Sequence, residues 1–241
     1  MQGPKPMSRR EFLRLSGLAA GAAGITLSTL STIGRAADLS MGGRDGDVVL
    51  TQLLEGNKRF MRGDLAHPRR KPEDFMPLAE GQAPLTAVVC CADSRVAPEL
   101  IFDQGVGDLF VVRVAGNVIN GSGAIVKGSI EYAVAELDVR LIVVLGHSQC
   151  GAVKAAIKHI AEKDALPGSI ANLVDLIRPA VAAVKGKPGN ILDNAIKANV
   201  EQGVERLKRL EPIVAGSVKK GMLKVVGAVY DLHSGKVTVF E

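Results

Sequence analysis

The chain reads as an α/β protein on a mainly parallel sheet of about four strands, with an antiparallel C-terminal edge strand and helices on both faces. Three observations predict this. Short β-branched runs at residues 86–91, 110–114 and 141–145 show no polar alternation, as expected of strands buried on both sides. Stretches of helical spacing lie between them, and strand–helix alternation calls for parallel pairing. The last runs, 223–230 and 237–240, flank Asp231-Leu232-His233-Ser234-Gly235 and read as a hairpin. With 241 residues and 47% hydrophobic content, one large domain with a sizeable core accounts for the chain.

That domain is expected to span residues 37–241. Residues 1–36 are set apart, because Ser8-Arg9-Arg10-Glu11-Phe12-Leu13 precedes a weakly apolar Gly/Ala/Leu stretch and a small-residue end at Gly34-Arg35-Ala36-Ala37. This pattern predicts a twin-arginine signal peptide cleaved near Ala36/Ala37, and hence export to the periplasm or another extracytoplasmic space through the twin-arginine machinery. An uncleaved membrane anchor is the alternative, but the middle is rich in Gly, Ser and Thr.

Removing residues 1–36 takes five bases (Lys5, Arg9, Arg10, Arg14, Arg35) from 30 and one acid (Glu11) from 25, leaving 25 against 24. The basic character therefore belongs to the leader. No basic field remains to attract nucleic acid, and with no Trp and 3% aromatics there is no base-stacking surface.

The elements follow in order. Val49, Leu50, Leu53, Leu54, Phe60 and Met61 fall at helical spacing, predicting an amphipathic helix that ends near Gly63. His67-Pro68-Arg69-Arg70-Lys71-Pro72 should be extended, as a solvated linker or an arm to a partner subunit. Strands at 86–91 and 110–114 precede a helix from 121 to 137, and the strand 141–145 delivers Gly146-His147. Helices are expected over 151–161, from Ser169, and over 191–210, the last stopped by Pro212.

The chemistry concentrates at two strand ends, where sites lie in such sheets. Cys91-Ala92-Asp93-Ser94-Arg95 follows the first strand and His147-Ser148-Gln149-Cys150-Gly151 follows the third. Cys91, His147 and Cys150 form a Cys2His set, three soft ligands with one open position, the ligand count of a catalytic zinc site. A disulfide with one spare thiol is the alternative in an exported chain, but Cys90 and Cys91 are adjacent and Cys150 has H-x-x-C spacing. Cys90, on the other face of the strand, is expected to be a buried small hydrophobe. His67, His159 and His233 are read as surface or capping residues, the latter two for want of a Cys or acidic neighbour at ligand spacing.

Two thiolates would neutralise the zinc charge, so the pKa of a bound water falls less than it would with imidazoles, and the hydroxide needs help. Asp93 is placed to accept its hydrogen bond. Arg95 can clamp Asp93 bidentately and keep it from becoming the fourth ligand.

Together these motifs resemble the two signatures of the β-class carbonic anhydrases, 147 − 91 = 56 residues apart. The likeness runs from about Leu53 to Phe240. It includes Gly56-Asn57-Lys58-Arg59-Phe60, Gly81-Gln82-Ala83-Pro84, Phe102-Asp103-Gln104-Gly105, Phe110-Val111-Val112-Arg113, Ser129-Ile130-Glu131-Tyr132-Ala133 and Val229-Tyr230-Asp231. The resemblance implies reversible hydration of carbon dioxide to bicarbonate and a proton by zinc-bound hydroxide, with one zinc per subunit. It also implies a homodimer or dimer of dimers with Gln82, Phe110 and Tyr132 reaching the neighbouring chain's site, and Gly151 counted with them as substrate-binding. Arg113-Val114-Ala115-Gly116-Asn117 departs from the Arg-Asn-Val-Ala-Asn often found in the family and predicts a smaller pocket wall. Val96, Arg113 and Tyr132 are present for the inhibitory bicarbonate site of some members, but its Trp is not. Hydrolysis of carbon disulfide or carbonyl sulfide on the same ligands is a second enzymatic reading. A non-catalytic zinc-holding protein is a third, disfavoured because Asp93, Arg95 and Gln82 would then serve no purpose.

Overall fold

In the computed structural model, residues 45–119 and 123–240 are described. The predicted leader lies outside them. Helix α1 (Gly46–Arg62) starts at Asp45, whose carboxylate accepts the Asp47 N–H, and stops at Gly63 in a left-handed conformation, φ 70°. Five strands follow: β1 (Thr86–Cys90), β2 (Leu109–Arg113), β3 (Leu141–His147), β4 (Lys224–Tyr230) and β5 (Val237–Phe240). Their order is β2-β1-β3-β4-β5, with β5 alone antiparallel.

The connecting helices are α2 (Pro98–Ile101), α3 (Gly123–Ala135), α4 (Gly151–Glu162), α5 (Ile170–Val184), α6 (Ile191–Lys208) and α7 (Ile213–Lys219). Neither α2 nor α7 was expected. Each is too short to display an apolar period, and each starts at or beside a proline that pre-sets the first turn.

All five β1 residues are buried, yet their side chains alternate between two cores. Ala87 and Val89 meet Ile130 and Ala133 of α3, Val200 and Val204 of α6 and Val214 of α7. Val88 and Cys90 meet Val49 and Leu53 of α1 and Ile101 of α2. A third cluster joins α4, α5 and α6 and closes over Cys91 and Cys150. The uninterrupted apolar runs therefore do mark strands covered on both sides. Among the described residues, no helix is long and apolar enough to cross a membrane.

The blocks around Asn57 and Asp103 hold α1 and α2 in place. The buried Asn57 donates from Nδ2 to the Ile101 carbonyl at 3.1 Å and the Gly235 carbonyl at 2.9 Å, and accepts the Val237 N–H at 2.9 Å. Gly56 is required beside it, because a Cβ there would lie 1.8 Å from the Phe102 carbonyl oxygen.

One expectation fails in this region. Residues 67–72 are not an extended arm: His67 and Arg69 have φ of 47° and 44°, and a 3-10 turn follows at Pro72–Asp74. The buried Asp103 carboxylate accepts the Ala66 and His67 N–H groups and Arg59 Nε, while Arg70 donates to the Glu99 and Gln104 carbonyls. The basic residues thus clasp their own subunit, with Arg69 paired to Asp108.

Candidate metal centre

The site is built where β1 and β3 end side by side. Their register pairs Cys90 with Leu145, so Cys91 leaves β1 next to the Gly146-His147 end of β3. Cys150 then sits at the N-cap of α4 after Gln149, which takes φ 57° to turn the chain into the helix. One ligand atom from each of Cys91, His147 and Cys150 lies within 4.8 Å of the others, and all three residues are buried. None of the three cysteines is in a disulfide.

His147 identifies what the cluster suits. Its Nδ1 lies 2.9 Å from the Ser148 carbonyl, which can only accept, so Nδ1 carries the proton and Nε2 presents a lone pair. That Nε2 is buried without a hydrogen-bond partner, a costly state unless something electrophilic meets it. Two sulfurs and one imidazole nitrogen converging in a buried cluster fit zinc by the chemistry of the donors.

The thiols are unequal. Neighbouring donors, the Cys150 S–H foremost and the Gly116 N–H among them, bring the Cys91 thiol below the ordinary range against the opposing effect of burial, and the resulting thiolate pushes Cys150 well above it. Burial lifts Cys90, on the opposite face, to about 12, and it packs among apolar side chains as an inert filler.

Asp93 stands beside the donors. Its Oδ2 is 3.8 Å from His147 Nε2, and Arg95 grips it with Nε to Oδ1 at 2.9 Å, Nη2 to Oδ2 at 2.8 Å and the backbone N–H to Oδ1 at 3.0 Å. That guanidinium holds the carboxyl far below the usual carboxylate range. The Asp93-x-Arg95 spacing therefore does form the planar two-bond clamp.

A carbonic anhydrase family model matches residues 86–237, spanning β1 to the start of β5 and all the residues above. The chain is 41% identical to carbonic anhydrase 2 of Mycobacterium tuberculosis over 187 residues, covering 78% of this chain and 89% of that one. It is 38% identical to a carbonic anhydrase of Pseudomonas aeruginosa, covering 80% and 88%. A tetrameric β-carbonic anhydrase of the ascomycete Sordaria macrospora superposes with a TM-score of 0.63 at 26% identity, covering 79% of this chain and 96% of that one. The chain belongs to the β-class carbonic anhydrases.

In this carbonic anhydrase the other expected site residues are spread along the fold. Gly151 is the first residue of α4, next to the candidate ligand Cys150. Phe110 and Tyr132 pack with ring centroids 6.2 Å apart where α3 covers the edge strand β2, and Tyr132 is 47% exposed. Gln82 is exposed on the loop before β1. Val96 is buried in the core with α1 and α2.

Three contributors were not legible as such. Arg113, considered only for an inhibitory site, donates from Nε to the Cys91 carbonyl at 3.3 Å and from Nη2 to the Asp93 carbonyl at 2.7 Å, bracing the loop that carries both residues. Gly116 gives its N–H to Cys91 Sγ at 3.2 Å, and Asn199 of α6 gives Nδ2 to the Gly116 carbonyl at 2.8 Å. The one available signal was a lone Asn on an apolar helix face. The ground for reading His159 as a surface or capping residue needs correction, since it does have an acidic neighbour. The chain reverses at Lys163, φ 55°, and brings Asp164 to 2.8 Å from Nδ1, with Glu162 alongside.

Proposed function

We propose that this carbonic anhydrase binds one zinc ion per subunit through Cys91, His147 and Cys150 and catalyses reversible hydration of carbon dioxide to bicarbonate and a proton. One observation carries the reading: a buried imidazole lone pair converges with two sulfurs beside a carboxylate that is already committed to an arginine. Zinc held there supplies the Lewis acidity that brings a water's pKa towards neutrality.

The protein's own groups do the rest. Asp93, ionised and clamped, accepts a hydrogen bond from the attacking water and so orients its lone pair toward the substrate carbon. Arg95 keeps that carboxylate in the acceptor pose, so that Asp93 would not itself join Cys91, His147 and Cys150 in holding the ion. Arg113 holds the Cys91 and Asp93 carbonyls, so ligand and acceptor move as one unit. Gln82, Phe110, Tyr132 and Gly151 form the substrate side. The first three come from the neighbouring subunit of a dimer or dimer of dimers, a reading supported by the edge position of β2, the half-exposed Tyr132 and the tetrameric relative. The mature domain, residues 37–241, acts outside the cytoplasm after twin-arginine export directed by residues 1–36.

The test is stopped-flow carbon dioxide hydration by the purified mature protein, with zinc content, mass in solution and carbonyl sulfide turnover measured alongside. Hydration with about one zinc per chain is expected. Zinc without hydration would leave the structural reading, and faster turnover of carbonyl sulfide the hydrolase one.

A further inference from the structure

The buried face of α6 is apolar at Ile196, Val200, Val204 and Leu207, yet it carries Asn199, which is 5% exposed. An amide in such a place is costly unless it is bonded. Its Nδ2 goes to a main-chain carbonyl, that of Gly116, at 2.8 Å. The same glycine directs its N–H to Cys91 Sγ at 3.2 Å.

Gly116 and Asn117 are consecutive left-handed residues, with φ of 68° and 46°. Glycine suits the first position, since a Cβ there would lie 3.0 Å from Ile177 Cδ1 and 3.2 Å from Ala152 Cβ, tight enough to displace the turn, besides the cost of the conformation itself. A glycine has no side chain to stop its peptides rotating. Inside the turn the Asn117 N–H donates to the Val114 carbonyl at 3.0 Å, and Asn199 adds the bond that ties the Gly116 carbonyl to α6.

We infer that Asn199 is a positioning residue for the metal ligand Cys91, acting through the Gly116 main chain to keep an N–H against the sulfur. The inference rests on the reading of Cys91, His147 and Cys150 as a metal centre. An N–H facing a thiolate withdraws charge from it and fixes its lone pairs, and partners of this kind commonly govern metal affinity as much as the ligands do. Asn199 reaches neither the ion nor the substrate in this scheme. Its effect is confined to how the sulfur is held.

Asn199→Leu, which fills the space without an N–H, and Asn199→Asp, which keeps the shape but offers no donor when ionised, test the bond from the α6 side. Gly116→Ala tests it from the turn. Zinc affinity is measured by competition with a chelator, and the sulfur-to-metal charge-transfer band is recorded on cobalt-substituted protein, with circular dichroism to establish folding. The variants should bind zinc ~10–100-fold more weakly, and the band should move to longer wavelength as the sulfur regains charge. Because both changes act by one route, Asn199→Leu combined with Gly116→Ala should weaken binding little beyond the worse single variant. Where Asn199→Leu does not fold, the Asp and Gly116 variants carry the same test. Folded variants with affinity within about twofold of wild type and an unmoved band would overturn the inference. A wild-type protein that takes up neither zinc nor cobalt would remove the metal reading beneath it, a failure separable from an Asn199 that simply does not matter.

Discussion

Replacing Asp103 by Asn should destabilise the fold in a way that pH can report. The side chain is fully buried and accepts Arg59 Nε at 2.7 Å and the Ala66 N–H at 2.9 Å, both on Oδ2, and the His67 N–H at 3.2 Å on Oδ1. Asn keeps the left-handed conformation that Asp103 holds at φ 47°. With its oxygen at the Oδ2 position, it keeps two of these bonds and turns an NH2 toward the third donor. Leaving the His67 N–H unsatisfied costs about 1–3 kcal/mol. Losing the charge on the Arg59 bond adds about 1 kcal/mol, kept small because Arg59 is 31% exposed. The total of about 2–4 kcal/mol lowers the melting temperature by about 4–16 °C for a domain of this size.

The pH dependence fixes the cause. Burial raises the Asp103 pKa, but Arg59 and the two N–H groups outweigh it and hold the carboxyl below the usual aspartate value. A depressed pKa contributes stability that is fully present above the unfolded value of about 3.9 and is lost as pH falls through the lower folded one. Asn does not titrate there. The stability gap between wild type and Asp103→Asn, measured by calorimetry on the two purified proteins prepared alike, should be flat from neutral pH downward and close only in the acid range below about 3.9. A gap closing near pH ~6.5 would implicate a histidine, and a gap under ~0.5 kcal/mol would refute the accounting altogether.

Cys91→Ser, His147→Ala and Cys150→Ser should each abolish hydration and lower zinc content, whereas Cys90→Ala should keep its zinc and lose only about 1 kcal/mol of stability by denaturant titration. Arg95→Ala removes both side-chain bonds to Asp93 and leaves the backbone one. Zinc should stay bound while hydration falls ~10–100-fold, Arg95→Lys should restore little, and activity near wild type would show the pair to be an ordinary ion pair. Arg9→Lys with Arg10→Lys should block export, seen by cell fractionation, without altering the specific activity of the folded enzyme.

Much of this protein was determined by the sequence read as a string. Buried parallel strands must be apolar on both faces, so the runs at 86–91 and 141–145 declared themselves, and the candidate ligands stood out because Cys91, His147 and Cys150 are soft donors placed just where such strands end. The Asp93–Arg95 clamp was legible because it spans two positions of one loop. Only the folded chain could decide what depends on contacts between distant segments. Asp103 bends residues 66–70 back onto their own subunit by capturing N–H groups 36 and 37 positions away, and no local propensity encodes that capture. Arg113 braces the Cys91 loop because β1 and β2 pair in parallel register, which brings Cys90 opposite Arg113. Asn199 lies 83 positions from Gly116, and the meaning of its amide exists only once α6 has packed against the turn that faces the sulfur. Spacing along the chain reveals groups that share a strand end or a loop. The hydrogen bonds that orient them come from whichever segments the core brings alongside, and packing in three dimensions sets those.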